Sequence, residues 1–177
     1  MFSLNPSLQS YSWGSKTLIA DLRGEESPTQ HPQAELWYGA HPAAPADIAG
    51  VPLTDIIAAD PDRELGAAVR ARFGDRLPFL LKILAVAEPL SLQAHPSLAQ
   101  AQEGFQRENA QGIDVRAGNR NYRDDNHKPE LIVALTPFHA MAGFRPLAAT
   151  LELFAALDCP SLARYVGMID STGEEAV

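Results

Sequence analysis

Pro78-Phe79-Leu80-Leu81-Lys82-Ile83-Leu84-Ala85-Val86 is apolar almost without interruption, and Glu88-Pro89 turns it into the alternating run Leu90-Ser91-Leu92-Gln93-Ala94-His95. Apolar continuity over so short a stretch predicts a buried strand, and strict alternation predicts a half-buried one. On the N-terminal side, residues 53–74 change period: Leu53, Ile56, Ile57, Leu65, Ala68, Val69 and Phe73 recur at helical spacing, with a break at Pro61 and a stop at Gly74. Residues 1–50 are rich in Pro, Gly, Ser and aromatic residues with short apolar runs, of which Leu36-Trp37-Tyr38-Gly39 is one, as in turns joining short strands. On the C-terminal side, Pro96-Ser97 opens a short amphipathic helix with Leu98, Ala101 and Phe105 on one face. Residues 107–127 are polar and read as a loop. Leu131–Leu135 and Phe138–Phe144 read as further strands. Helical spacing returns from Leu147 to Met168, and the last eight residues look frayed. Strands therefore dominate to about residue 146. The expected fold is mainly β with helical additions, of the sandwich or jelly-roll kind.

Composition narrows the function. The 177 residues are 46% hydrophobic and 20% charged, ordinary for a globular protein. A net charge of −8 argues against nucleic acid as a partner, although a small phosphorylated ligand feels only the local field of its pocket. The single cysteine, Cys159, excludes an intramolecular disulfide. Met1–Ser12 has neither a basic leader nor an apolar core, and the stretch Leu77–Ala87 is too short to span a bilayer. The expectation is a soluble cytoplasmic protein with no membrane partner.

Two tripeptides concentrate the chemistry: Gln93-Ala94-His95 and Lys128-Pro129-Glu130. In a strand, residues i and i+2 share a face, about 6 to 7 Å apart. Gln93 and His95 can then aim at one point, and Lys128 and Glu130 at another. If the segments are neighbours, oxygen and nitrogen donors can converge on a metal ion such as zinc. Taken alone, such pairs also arise by chance.

The surrounding residues add to this. Leu90-Ser91-Leu92-Gln93-Ala94-His95-Pro96 and Asp125-Asn126-His127-Lys128-Pro129-Glu130-Leu131 resemble the two signature stretches of type I phosphomannose isomerases. Tyr11-Ser12-Trp13-Gly14 is similar to that family's opening motif, and Ala34-Glu35-Leu36-Trp37-Tyr38-Gly39-Ala40-His41-Pro42 to its next block. Leu80–Leu84 sits where the family has the strand before its metal motif. The resemblance covers residues 1 to about 146 well and the later helical segment more loosely.

The resemblance implies a partial metal-binding jelly roll of the cupin type over residues 1–146 and the start of an inserted helical domain over 147–177. It implies Gln93, His95 and Glu130 as three of four ligands to one zinc ion. Trp13, Glu35 and Ser91 become substrate-binding residues, and Lys128 a catalytic one. The family's fourth ligand, a His, and an Arg that acts in catalysis or binds phosphate come from later motifs that have no match here. His139 and Arg145 stand in the wrong context. The implied activity is interconversion of mannose 6-phosphate and fructose 6-phosphate. The alternative is a non-catalytic fragment of such an enzyme.

These residue types suit that chemistry. Moving a proton between C1 and C2 needs a base for a carbon-bound proton and stabilisation of the enediolate oxygen, which zinc supplies as a Lewis acid. A Gln ligand keeps such a metal electrophilic. A lysine near a divalent cation has its charged form disfavoured, which suits Lys128 to proton transfer. Hydride transfer remains the second route. A metal-dependent oxygenase would favour two His and one carboxylate, which the Gln and the Lys-Pro-Glu motif oppose. Of the remaining candidates, His127 reads as structural, His31 and His41 as surface residues, Trp37 as core, Cys159 as a small buried side chain, and the arginines of 107–123 as a solvated loop.

Overall fold

The computed structural model describes residues 3–172. The chain divides into two compact units, Met1–Ala94 and His95–Val177.

The first unit is built on three short antiparallel strands, β1 (Ser7–Gln9), β2 (Glu35–Tyr38) and β5 (Leu81–Leu84), in the order β1-β2-β5. The register sets Leu36 between Leu8 and Ile83, and Trp37 opposite Lys82. One face packs on helix α1 (Leu18–Arg23): Ile19, Leu36 and Ala85 are buried together, with Tyr38 and Ile83 against them. The segment that follows Trp13 extends this sheet by bridges rather than by a full strand. Ser15 N–H donates to the Ala85 carbonyl at 2.8 Å, and Ala87 N–H to the Trp13 carbonyl at 3.0 Å. A hairpin of β3 (Asp47–Ile48) and β4 (Val51–Pro52) turns at Ala49-Gly50, both at positive φ, the conformation a two-residue hairpin loop requires.

The helical spacing over 53–74 resolves into α2 (Leu53–Ala59), α3 (Pro61–Leu65) and α4 (Ala67–Phe73). Pro61 opens α3 at a position needing no amide hydrogen, and the Asp60 side chain accepts from Arg63 N–H at 3.2 Å. Gly66 and Gly74, both at positive φ, end the last two helices. β5 is shorter than the predicted strand and less buried, because it is the edge of its sheet: Leu81 is 60% exposed.

The second unit holds α5 (Leu98–Ala110), α6 (Leu147–Leu157), a 3-10 turn (Pro160–Leu162) and α7 (Ala163–Thr172). Ser97 and Gln100 close a capping box at the start of α5: the Ser97 hydroxyl accepts from Gln100 N–H, and the Gln100 side chain accepts from Ser97 N–H. The helix runs to Ala110, so Arg107 belongs to it and not to the loop.

Three predicted strands are not formed: Leu90–His95, Leu131–Leu135 and Phe138–Phe144 carry no ladder. A strand exists only if its N–H and C=O groups find a neighbour, and no other described segment pairs with these. Their apolar side chains stay in solvent, with Leu131 91% and Val133 72% exposed. Cys159 is exposed rather than buried, and its thiol lies 3.1 Å from the Ser161 hydroxyl. Of the residues expected to fray, those beyond 172 lie outside the described range.

Candidate metal and substrate site

In the first unit the strand register assembles a polar cluster. Glu35 and Trp37, two apart on β2, share a face, and the Trp37 indole N–H donates to Glu35 Oε2 at 2.6 Å. Lys82, opposite Trp37 on β5, places its ammonium 3.7 Å from the same oxygen and 4.7 Å from the indole centroid. Glu35 is buried, so its charge is held by an indole N–H and a lysine rather than by water. Trp13 is half-buried and stacks on Tyr11, ring centroids 5.6 Å apart. The Tyr11 phenol is pushed up by partial burial and then by the negative charge of Glu35. Ser91 and Gln93 follow in the exposed segment that closes this unit.

Sequence reasoning singled out Glu35 and Trp13 but not Lys82, and it read Trp37 as core. The signal for Lys82 was present: one cation inside Leu80-Leu81-Lys82-Ile83-Leu84, an otherwise apolar run, needs a partner.

In the second unit His95 and Glu130, remote in sequence, come together, with His95 Nε2 3.8 Å from Glu130 Oε1. Lys128 does not join them. Its ammonium pairs with Asp124 at 3.2 Å, on a side chain 57% exposed. Asp124 also accepts from Asn126 N–H at 3.0 Å, which turns the chain just before the tripeptide. His127 is exposed.

The 3.8 Å between His95 and Glu130 is wider than the tetrahedral spacing of two zinc donors and within the widest spacing that one ion allows. Donors about 2.0 to 2.2 Å from one ion lie about 3.3 to 3.5 Å apart at the tetrahedral angle and about 4.2 Å apart at most. No third His, Cys, Asp or Glu among the described residues completes a metal cluster with them.

Comparison with known proteins decides the family. A family model described as "Phosphomannose isomerase type I, catalytic domain" matches residues 1–147. The chain belongs to that family. Mannose-6-phosphate isomerase of Escherichia coli (strain K12) is 46% identical over 178 residues, a match covering 97% of this chain and 45% of the relative. Human mannose-6-phosphate isomerase is 38% identical over 160 residues, covering 83% of this chain and 35% of the relative. A crystal structure of the Salmonella typhimurium enzyme bound to fructose 6-phosphate and zinc superposes with a TM-score of 0.81 at 45% identity, covering 94% of this chain and 44% of that one. The chain thus spans less than half the length of these relatives. No helix among the described residues is long and apolar enough to cross a membrane.

Proposed function

We propose that this chain carries the first part of the machinery of a zinc-dependent aldose–ketose isomerase that interconverts mannose 6-phosphate and fructose 6-phosphate. The observation that carries the reading is the approach of His95 to Glu130 in a member of this family. His95 and Glu130 hold one zinc ion, with Gln93 as the third donor. Bound there, the ion supplies Lewis-acid stabilisation of negative charge on the sugar oxygens.

Lys128 moves the proton between C1 and C2. Its ammonium pairs with Asp124, which ties the side chain to the turn just before Glu130. Trp13, Glu35 and Ser91 bind substrate, and Lys82 joins Glu35 and Trp37 in that role. A cation held against a carboxylate and an indole is fixed in place, ready to orient a sugar hydroxyl. Residues 1–146 form part of a cupin-type jelly roll in this reading, and residues 147–177 begin a helical domain. The setting is cytoplasmic sugar metabolism.

A second reading, a non-catalytic fragment that binds metal at most, is favoured by the span of the chain, less than half that of its relatives. One preparation tests both. Purified chain, dialysed against zinc and then free of it, should retain about one zinc per chain, and His95→Ala or Glu130→Ala should abolish retention. Turnover of mannose 6-phosphate would make the site complete as it stands. Zinc retention without turnover would favour the second reading, and retention unaffected by either variant would overturn the metal site.

A further inference from the structure

His95 precedes α5 and Glu130 lies far beyond its end, yet the two side chains meet. What brings the chain back is a buried ionic clamp that the isomerisation chemistry does not use. Glu108, in the last turn of α5, is 5% exposed, and Arg120 is 4% exposed. Their charges pair at 3.0 Å. The Glu108 carboxylate also accepts from Tyr122 N–H at 2.9 Å, from Asn121 N–H at 3.1 Å and from the Asn121 side chain at 3.1 Å. The Arg120 guanidinium donates to the carbonyls of Tyr122 at 2.5 Å and Ile113 at 2.7 Å, and to the Asn109 side chain at 2.7 Å. Each charge is thus paired and fully hydrogen-bonded, the condition under which burial is tolerated. Beside them Tyr122 lies against Gly104, where an added Cβ would come within 2.5 Å of the ring.

The clamp fixes residues 120–122 at the far end of a 13-residue helix, which is about 20 Å long. From Tyr122 the chain runs back to Glu130, a stretch that extends to about 26 Å. That is enough to return along the helix to His95. The Asp124 turn and the Lys128–Asp124 pair lie on this return leg. Helix α5 is therefore a strut: its capped start follows His95, and its far end holds the segment that delivers Lys128 and Glu130.

We propose that Glu108 and Arg120, with Gly104 as the seat for Tyr122, are positioning residues for the His95–Glu130 metal pair. This rests on the metal reading above, and the test separates the two. Zinc affinity of the full chain is measured by competition with a chromophoric chelator, and ligand geometry by the visible spectrum of the cobalt-substituted protein. The variants are Glu108→Gln, Gly104→Ala, Glu130→Ala and Ala101→Gly. Ala101→Gly weakens α5 through lower helix propensity and the loss of a buried methyl group, without touching the clamp, so it matches a purely structural loss. Gly104→Ala does the opposite, improving helix propensity while displacing Tyr122.

Glu108→Gln and Gly104→Ala should each weaken zinc by about tenfold, the lower end of what losing a ligand's own hydrogen-bond partner costs, and should alter the cobalt spectrum. Ala101→Gly should leave both unchanged at a temperature where all variants are folded. If Glu130→Ala loses zinc while Glu108→Gln and Gly104→Ala match wild type or merely track Ala101→Gly, the positioning role is wrong and the metal site stands. If wild type takes up no zinc, or Glu130→Ala binds as well as wild type, the metal reading fails and takes the positioning role with it. Should Glu108→Gln not fold, Gly104→Ala alone decides, because its effect on the helix has the opposite sign.

Discussion

A Cβ built on Gly14 would lie 2.7 Å from the backbone nitrogen and Cα of Ala34, a distance real side chains do not reach. The glycine is there because the segment carrying Trp13 must lie flat against the start of β2, where Gln33 N–H donates to the Ser15 carbonyl at 2.9 Å. Gly14→Ala would gain about 0.4 to 1 kcal/mol from a stiffer unfolded chain. The forced backbone shift costs about 1 to 3 kcal/mol, so the net change is destabilising. Urea unfolding should show a lower midpoint, and an unchanged midpoint would mean that the Trp13 segment is not held in this way. Lys128 yields a second prediction at this scale. A general base or acid contributes typically 10²- to 10⁴-fold, so Lys128→Met should lower kcat by about that factor in a preparation that turns over, with zinc uptake intact. Full activity in that variant would confine the lysine to its ion pair with Asp124.

At the scale of elements, α5 was legible because its signals are local. Pro96-Ser97 marks the start, Gln100 completes the box, and Leu98, Ala101 and Phe105 fall at helical spacing. Ser97→Ala should therefore cost about 1 kcal/mol, read as a lowered melting temperature. The clamp at the other end was not legible. Arg120 looked like one of several arginines in a solvated loop, and nothing local in the sequence says that it is the buried one. Its partner Glu108 has a distinct acid signature. Hydrogen bonds from Tyr122 N–H and Asn121, aided by the charge of Arg120, hold its carboxyl below the ordinary glutamate range. A depressed folded-state pKa stabilises above the unfolded value of about 4.3, and that contribution is lost as pH falls through the folded value. Stability should thus decline below about pH 4.3 more steeply in wild type than in Glu108→Gln. Asp47 and Asp75 are also held low by their hydrogen bonds, and both are common to the two proteins, so the difference between the curves isolates Glu108. Parallel curves would show that the clamp carries no ionic stabilisation.

Across the whole molecule, what could be read from sequence and what could not divide along one physical line. Helices satisfy their own backbones, and those over 53–74 and 147–168 formed near the expected places, broken at Pro61 as predicted. Strands need partners. β2 formed because Leu8 and Ile83 flank Leu36, whereas Leu131–Leu135 has the strand pattern and no described neighbour. Motif order around Gln93, His95, Lys128 and Glu130 pointed to the family that the match over residues 1–147 shows, while the burial of Glu108 and Arg120 between these motifs is encoded by no short motif. The unpaired segment has a consequence for solution behaviour. If the segment is extended, Leu131, Val133 and Leu135 share one face, and all three are more than two-thirds exposed. An exposed apolar segment with no strand partner can pair with another chain, and a net charge of −8 opposes this only over a Debye length of about 8 Å at physiological salt. The chain should therefore self-associate as its concentration rises, and more so as salt screens the repulsion. The double substitution Leu131→Lys, Val133→Lys places charge on that face and should shift the protein to monomer in sedimentation velocity. A wild-type chain that stays monomeric at high salt would show that these side chains are covered in solution.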